Sequence, residues 1–421
     1  MPGKVLFSST GPQARSKVWA DLEGQGWTLV VPTPTFADML KQGYPAHAKF
    51  WKTIVTLSEW ASEGKDPALG AKEVCYYLGE AADGTSDELW SSAWQVLRWH
   101  HQGWLTSADV SEQAGTLDGL QRAALERLAK AEKAFFPQGL PTGAALCAQR
   151  AQSDDVPSGA KAYLEGFVDL SPSEMAWLNA VVAKGEGLVR LRHVSGVPPV
   201  ETGLERLVGR LGQSGQWQAA VDSPPPDWES RQLLAETLFP KDGASVQPLA
   251  AGDRVRVGRF DSIGEEFEAV IKQVNGLLKS GVTNRNIVVA LPDAHDYRAH
   301  GALLKRLGSP PRFLHPVYAD KNPLGQPAMP LFPREIGDIQ VIGHCDIRSR
   351  ATGHLFMMGA GRVHGPEVTG YSLQREEHLP SFLLDAVEAV EASLWVSGTR
   401  ANQSECVFEA LSRGFQNPAG W

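Results

Sequence analysis

The chain has 421 residues and a formal net charge of −8, with 43% hydrophobic and 21% charged residues. That length provides for two or three domains with ample core, and the composition is the one expected of a soluble globular protein. The acidic balance excludes a wholly basic nucleic-acid coat and leaves room only for a local basic groove.

The first element expected is a short strand at Lys4–Phe7, followed by the polar turn Ser8–Lys17, a helix at Val18–Gly24 and a buried strand at Trp27–Val31. Strand, turn, helix, strand is how a phosphate-binding loop begins. A working loop carries GxxxxGK followed by Ser or Thr, because glycines let backbone N–H groups wrap the phosphates and the Lys reaches the terminal oxygens. Here Gly11 is the glycine that remains, Pro12 removes a donor, and Ser16 and Lys17 stand in the reverse order. An ordinary βα turn is the competing reading.

From Ala37 to about Ala134 the pattern is helical and rich in tryptophan, with Trp51, Trp60, Trp90, Trp94, Trp99 and Trp104. These rings serve either as stacking platforms for single-stranded DNA or as core filling. Leu117–Phe136 is a strongly amphipathic helix. A linker of mixed Pro, Gly, Ser and Asp spans Pro137–Pro157.

Tyr163–Val168 is the next expected strand. Ser171, Pro172 and Glu174 then have the spacing of a capping box that starts a helix. Glu165 and Asp169 flank Gly166-Phe167, as relics of a Mg²⁺ site or as plain surface carboxylates. Leu188–Val194 is a strand in which Arg190 and Arg192 alternate, and Arg206 and Arg210 follow on a helix diluted by Glu201 and Glu205. The arginines either line a basic groove or pair with nearby carboxylates. Val221–Trp228 is a loop, Leu233–Leu238 a short helix, and a domain boundary falls near residue 245.

The stretch Arg254–Leu307 has the clearest pattern in the chain. Val255, Val257 and Phe260 alternate. Ser262 precedes an acidic first turn, Glu265-Glu266, which suits a helix N-terminus. Phe267, Val270, Ile271, Val274, Leu277 and Leu278 form an amphipathic helix that Gly281 ends. Ile287–Leu291, IVVAL, is the signature of a parallel strand buried on both faces, and His300–Leu307 is expected to be helical. This βαβα unit implies an open parallel sheet with right-handed crossovers. A connection with seven prolines, Gly308–Pro333, leads to strands at Asp338–Ile342 and His354–Met358. Gly359, Gly361 and Gly365 then make a loop in which Arg362 and His364 are candidate phosphate contacts. A helix at Pro380–Glu391 and a strand at Ser393–Ala401 complete the series. The four cysteines (Cys75, Cys147, Cys345, Cys406) are scattered, without CxxC or clustered His, so no metal centre is expected. No leader pattern and no apolar run near ~18 residues are seen, which points to a cytoplasmic chain with no membrane partner.

Four of these features, in this order, carry a resemblance. They are the Arg254–Leu307 unit, the strand ending in Gly166-Phe167 before a capped helix, GHLFMMGAGRVHGPE from Gly353, and LWVSGTRA from Leu394. Together they resemble the UvrD-type (superfamily 1) helicases, and within them the AddB family, the helicase-derived subunit of bacterial double-strand-break repair machines. The similarity is to a shortened member without a recognisable phosphate loop or nuclease-type Asp…Glu-x-Lys set. It implies an α/β fold of two RecA-like parallel-sheet domains. They would span 1–245, with a helical insertion at about 40–135, and 250–421. It also implies an inactivated, DNA-binding scaffold for recombination or repair, with DNA and an AddA-like helicase-nuclease subunit as partners. Arg400 matches the arginine that reaches across the cleft to the γ-phosphate in active relatives. On this reading Gly11, Lys17 and Arg400 mark a degenerate nucleotide site, Arg190, Arg192, Arg362 and His364 contact DNA, and no catalytic residue or cofactor is expected. The alternative is a divergent ATP-dependent DNA helicase subunit that uses ATP and Mg²⁺.

Overall fold

In the computed structural model, the residues described are 3–7, 12–47, 54–61, 143–153, 156–192, 194, 196–220, 228–240, 248–250, 254–291, 312–313, 339–349, 351–360, 379–400, 405–416 and 419–420. Residues 100, 103, 115, 119, 122–123, 125–126 and 129 are described singly or in pairs. The protein is α/β and is built on two parallel sheets.

The first sheet has the order β3-β2-β4-β5-β1-β6. Its strands are β1 (Gly3–Phe7), β2 (Trp27–Val31), β3 (Ile54–Thr56), β4 (Lys161–Glu165), β5 (Glu186–Leu191) and β6 (Trp217–Ala220). Every described pairing in it is parallel. On one face Leu29, Val31, Tyr163 and Leu188 meet α1 (Pro12–Leu22) and α2 (Pro34–Gly43). On the other face Val30, Leu164 and Val189 meet α3 (Leu57–Ala61), α4 (Gly143–Gln152) and α5 (Pro172–Lys184). Alternate residues of each strand therefore feed opposite layers, as a period of two requires. The helices α6 (Pro198–Gln213) and α7 (Trp228–Leu238) follow β5 and β6.

The second sheet runs β10-β11-β9-β12-β13-β8-β15 and is again parallel at each described pairing. Its members are β8 (Val255–Phe260), β9 (Ile287–Leu291), β10 (Arg312–Phe313), β11 (Gln340–Gly343), β12 (Thr352–Met357), β13 (Val390–Thr399) and β15 (Ala419–Gly420). A separate short pair joins β7 (Leu249–Ala250) to β14 (Phe415–Gln416). Helix α8 (Ile263–Lys279) lays Phe267, Val270, Ile271 and Val274 on Ile287, Val289 and Leu291 of β9. Val288 and Ala290 of the same strand face the opposite layer, with α9 (Leu379–Ala389) and α10 (Glu405–Gly414). Each such apolar side chain contributes roughly 1.5–3 kcal/mol by leaving water.

Local signals did what their chemistry requires. Ser262 caps α8 by accepting from the Glu265 N–H, and Gly281, with φ near +90°, turns the chain out of the helix. Ser171 and Glu174 form the reciprocal capping box of α5, with the Glu174 carboxylate accepting from the Ser171 N–H at 2.9 Å. Replacing Ser171 by alanine is expected to cost about 1 kcal/mol, read as a lower urea midpoint with an unchanged slope; no change in midpoint would contradict the cap.

Several expectations shift: the strand expected at Tyr163–Val168 is β4, Lys161–Glu165, and the helix expected at Pro380–Glu391 ends at Ala389, where β13 takes over. The first helix begins at Pro12, inside the stretch expected to be a turn, because Pro is well suited to the first helical position. The block expected to be helical from Ala37 contains β3, whose β-branched Ile54-Val55-Thr56 pairs in parallel with β2. The strand expected at Leu188–Val194 is β5, which ends at Leu191. Most of the expected insertion, the Leu117–Phe136 helix as a whole and the His300–Leu307 helix lie outside the described residues.

Candidate functional site

In open parallel sheets ligands bind outside the carboxyl ends of the strands, where the strand order reverses. In the first sheet β4 ends in this region at Glu165, which is 3% exposed. Helix α1 directs Arg15 from its first turn, and Trp19 one turn later, at the same carboxylate. Arg15 donates Nε to Glu165 Oε1. Trp19 donates Nε1 to Oε2 at 2.9 Å, and the Tyr163 hydroxyl donates to Oε2 at 3.1 Å. Arg190 of β5 lies 3.8 Å from Oε1. Just beyond, Gly166 turns at a φ near +91°, and a Cβ there would meet the Phe36 ring at 2.6 Å. Only glycine satisfies both conditions.

The remaining donors of Arg15 reach across to the second unit. Its Nη1 donates to the Tyr44 hydroxyl at 2.9 Å and to the Ser349 carbonyl at 2.8 Å, and its Nη2 to the Arg348 carbonyl at 3.0 Å. Arg348 in return donates to the Gly166 carbonyl. Thr33, the residue that caps α2, donates to Asp346 at 2.5 Å. The 3₁₀ turn His344–Ser349 thus packs against α1, the start of α2 and the turn after β4.

Burial by itself would push the Glu165 carboxyl up, but the charges of Arg15 and Arg190 outweigh it and hold the group below its usual range. Burial likewise opposes the charge of Arg15, and Glu165 with Tyr44 reverses that, so the guanidinium stays charged. Burial and the Glu165 charge push the Tyr163 hydroxyl up, which leaves it a neutral donor.

This arrangement of Glu165 does not fit Mg²⁺. A metal needs free carboxylate lone pairs, and the oxygens of the buried Glu165 are engaged by Arg15, Trp19 and Tyr163. The other acidic candidate, Asp169, accepts from Arg210 at 2.8 Å. Among the described residues no group of three or more His, Cys, Asp or Glu is placed to hold a metal.

Each residue singled out in the sequence has a definite place or falls outside the described part. Gly11, Arg362 and His364 lie outside it. Lys17 is exposed on α1. Arg400 follows β13, is 67% exposed at its side chain and sits 3.2 Å from Asp261. Arg190 and Arg192 do not line an open groove. Arg190 is buried beside Glu165, and Arg192 donates to Asp385 and Glu388 of α9. Both side chains lie along or just past β5 and meet carboxylates that the neighbouring elements bring in. Glu165 is not a surface carboxylate. Trp60 packs edge-on against Trp177 with ring centroids 6.2 Å apart, an aromatic contact of the core. The other five tryptophans of the expected stacking block lie outside the described residues.

Sequence reasoning missed Arg15 and Trp19. Their separation of four places both on one helix face, yet an arginine in a polar stretch gives no sign that a carboxylate 150 residues away awaits it. No protein-family model matches the chain, and no curated protein matches it. Among the described residues no helix is long and apolar enough to cross a membrane.

Proposed function

We propose that this chain is a non-hydrolysing, helicase-derived scaffold of the AddB kind that serves DNA recombination or repair, with two RecA-like units. The observation that carries this reading is the Arg15–Glu165 pair. The carboxylate at the end of β4, where an active relative needs acidic groups for metal and water, is neutralised from within by an arginine of α1. The chemistry of phosphoryl transfer depends on charges that face the phosphates, and here those charges face each other. DNA and an AddA-like helicase-nuclease subunit are the partners this reading assigns. Among the cations suggested for the site, Arg400 and Lys17 are exposed in the described part, while Arg362 and His364 are assigned from the sequence.

The purified protein is expected to release no phosphate from MgATP above the blank, with or without single-stranded DNA. It is expected to bind DNA weakly, with affinity falling steeply between low and moderate salt as counterions are released. Arg400→Ala together with Arg362→Ala is expected to weaken that binding. DNA-stimulated phosphate release that disappears in Lys17→Ala would overturn the reading, as would absence of DNA binding at low salt together with failure to bind an AddA-like subunit.

A further inference from the structure

Two sets of polar contacts and a shared apolar seam join the two units. The first set is the Arg15, Arg348 and Thr33 exchange, to which Gln340 adds a bond to Gln42 at 2.8 Å. The second lies between the far end of β5, α7 and α9. Arg192 donates to Asp385 and Glu388. Arg231 of α7 donates to Glu388 and stands 3.2 Å from Asp385. Arg231 and Asp385 are each 1% exposed. In addition, Met39 of α2 and Val197 at the start of α6 belong to the same core cluster as Leu238, Phe239, Leu383 and Leu411 around the second sheet.

We infer that these contacts form two latches that hold the units as one closed body, so that the crevice between the sheets does not open and close in a nucleotide cycle. A motor domain pair must separate and rejoin at each turnover. Separation here would strand Arg15 and Arg348 without their carbonyl partners. It would also take Arg192 away from Asp385 and Glu388 and leave those carboxylates with Arg231 alone, and it would wet an apolar seam. Groups buried in this way are costly to unpair, and packed interfaces hold discrete arrangements rather than deforming smoothly. The charge pattern also fixes register. Arg192 follows β5 of the first sheet and the two carboxylates lie on α9 beside the second, while Arg231 comes from α7, which packs on α9 and α10, so sliding α9 by one turn would break every pair at once. The inference concerns the closed state of the pair and stands whether or not the AddB-like reading does.

Hydrogen exchange on the full chain, read by mass spectrometry, tests it. In the native protein, amides of 344–349 and 379–389 are expected to be protected to within about tenfold of those in 287–291, the interior strand β9. Addition of MgATP is expected to leave them unchanged. Arg348→Ala is expected to speed exchange in 344–349, and Arg192→Ala in 379–389, each by about tenfold or more, while 287–291 stays slow. If either variant fails to fold, the native measurement and the other variant decide. Interface segments that exchange like free chain in the native protein, or that change with MgATP, would overturn the latch. ATP turnover with the interface still protected would sink the scaffold reading and leave the latch standing.

Discussion

Glu165→Gln is expected to lower the free energy of unfolding by about 3–5 kcal/mol, the usual cost of removing one partner of a buried ion pair. The substitution keeps the shape of the side chain and still offers an oxygen to Trp19 and Tyr163, so packing changes little. What it removes is the negative charge against which Arg15 and Arg190, both buried, are balanced. The acid limb of stability carries the same signature. Glu165 is held below its usual range by Arg15 and Arg190 acting against burial. Its contribution is therefore complete above the ordinary carboxylate value of about 4 and is lost as the pH falls through the lower folded value. Urea midpoints followed from about pH 7 down to 3 should fall steeply for the native chain and less steeply for the variant. The slope will not vanish in the variant, because Asp385 is shifted in the same direction. A variant within about 1 kcal/mol of the native protein at neutral pH would show that water or rearrangement relieves Arg15.

Asp385→Ala is expected to cost a similar amount, about 3–5 kcal/mol, and clearly more than Glu388→Ala. Both carboxylates face Arg192 and Arg231. They differ in burial, since the side chain of Asp385 is 1% exposed and that of Glu388 is 26%. Burial pushes the Asp385 carboxyl up, but Arg192, Arg231 and Arg348 outweigh it and hold the group below its usual range, so it is charged at neutral pH. Arg231 already has its charge disfavoured, by burial first and by Arg192 second. Removing Asp385 takes away one of the two carboxylates that offset this. A half-hydrated carboxylate such as Glu388 is partly screened and returns less when deleted. Equal losses for the two variants, measured by urea denaturation under the same conditions, would mean that burial is not what sets the energetics of this cluster.

The two networks show where the amino-acid order is eloquent and where it is silent. Ser262 before Glu265-Glu266, the Ser171–Glu174 box, the IVVAL run and the Phe267–Leu278 periodicity are each decided within a few residues of themselves. Caps bond three residues ahead, helix faces repeat every three or four, and a strand buried on both sides shows it in its own composition. From these alone the chain had to be α/β with parallel strands, and it is. Strand order was not legible, and neither was the short edge strand β3, because three residues carry too little pattern to outweigh a helical neighbourhood.

The candidate site was the least legible part. Glu165 in the sequence is a carboxylate at a strand end, and nothing near it separates a metal ligand from a surface charge. Its fate is set by Arg15, 150 residues earlier, and by a turn whose carbonyls at 348 and 349 come from the other half of the chain. Arg192 and Asp385, 193 residues apart, are two ordinary charges until the fold removes the water between them. A charge declares its role only through its partner and its dielectric surroundings. Both of those are properties of the assembled tertiary structure, so an arginine read as a hand held out to DNA could prove to be a clasp between the two halves.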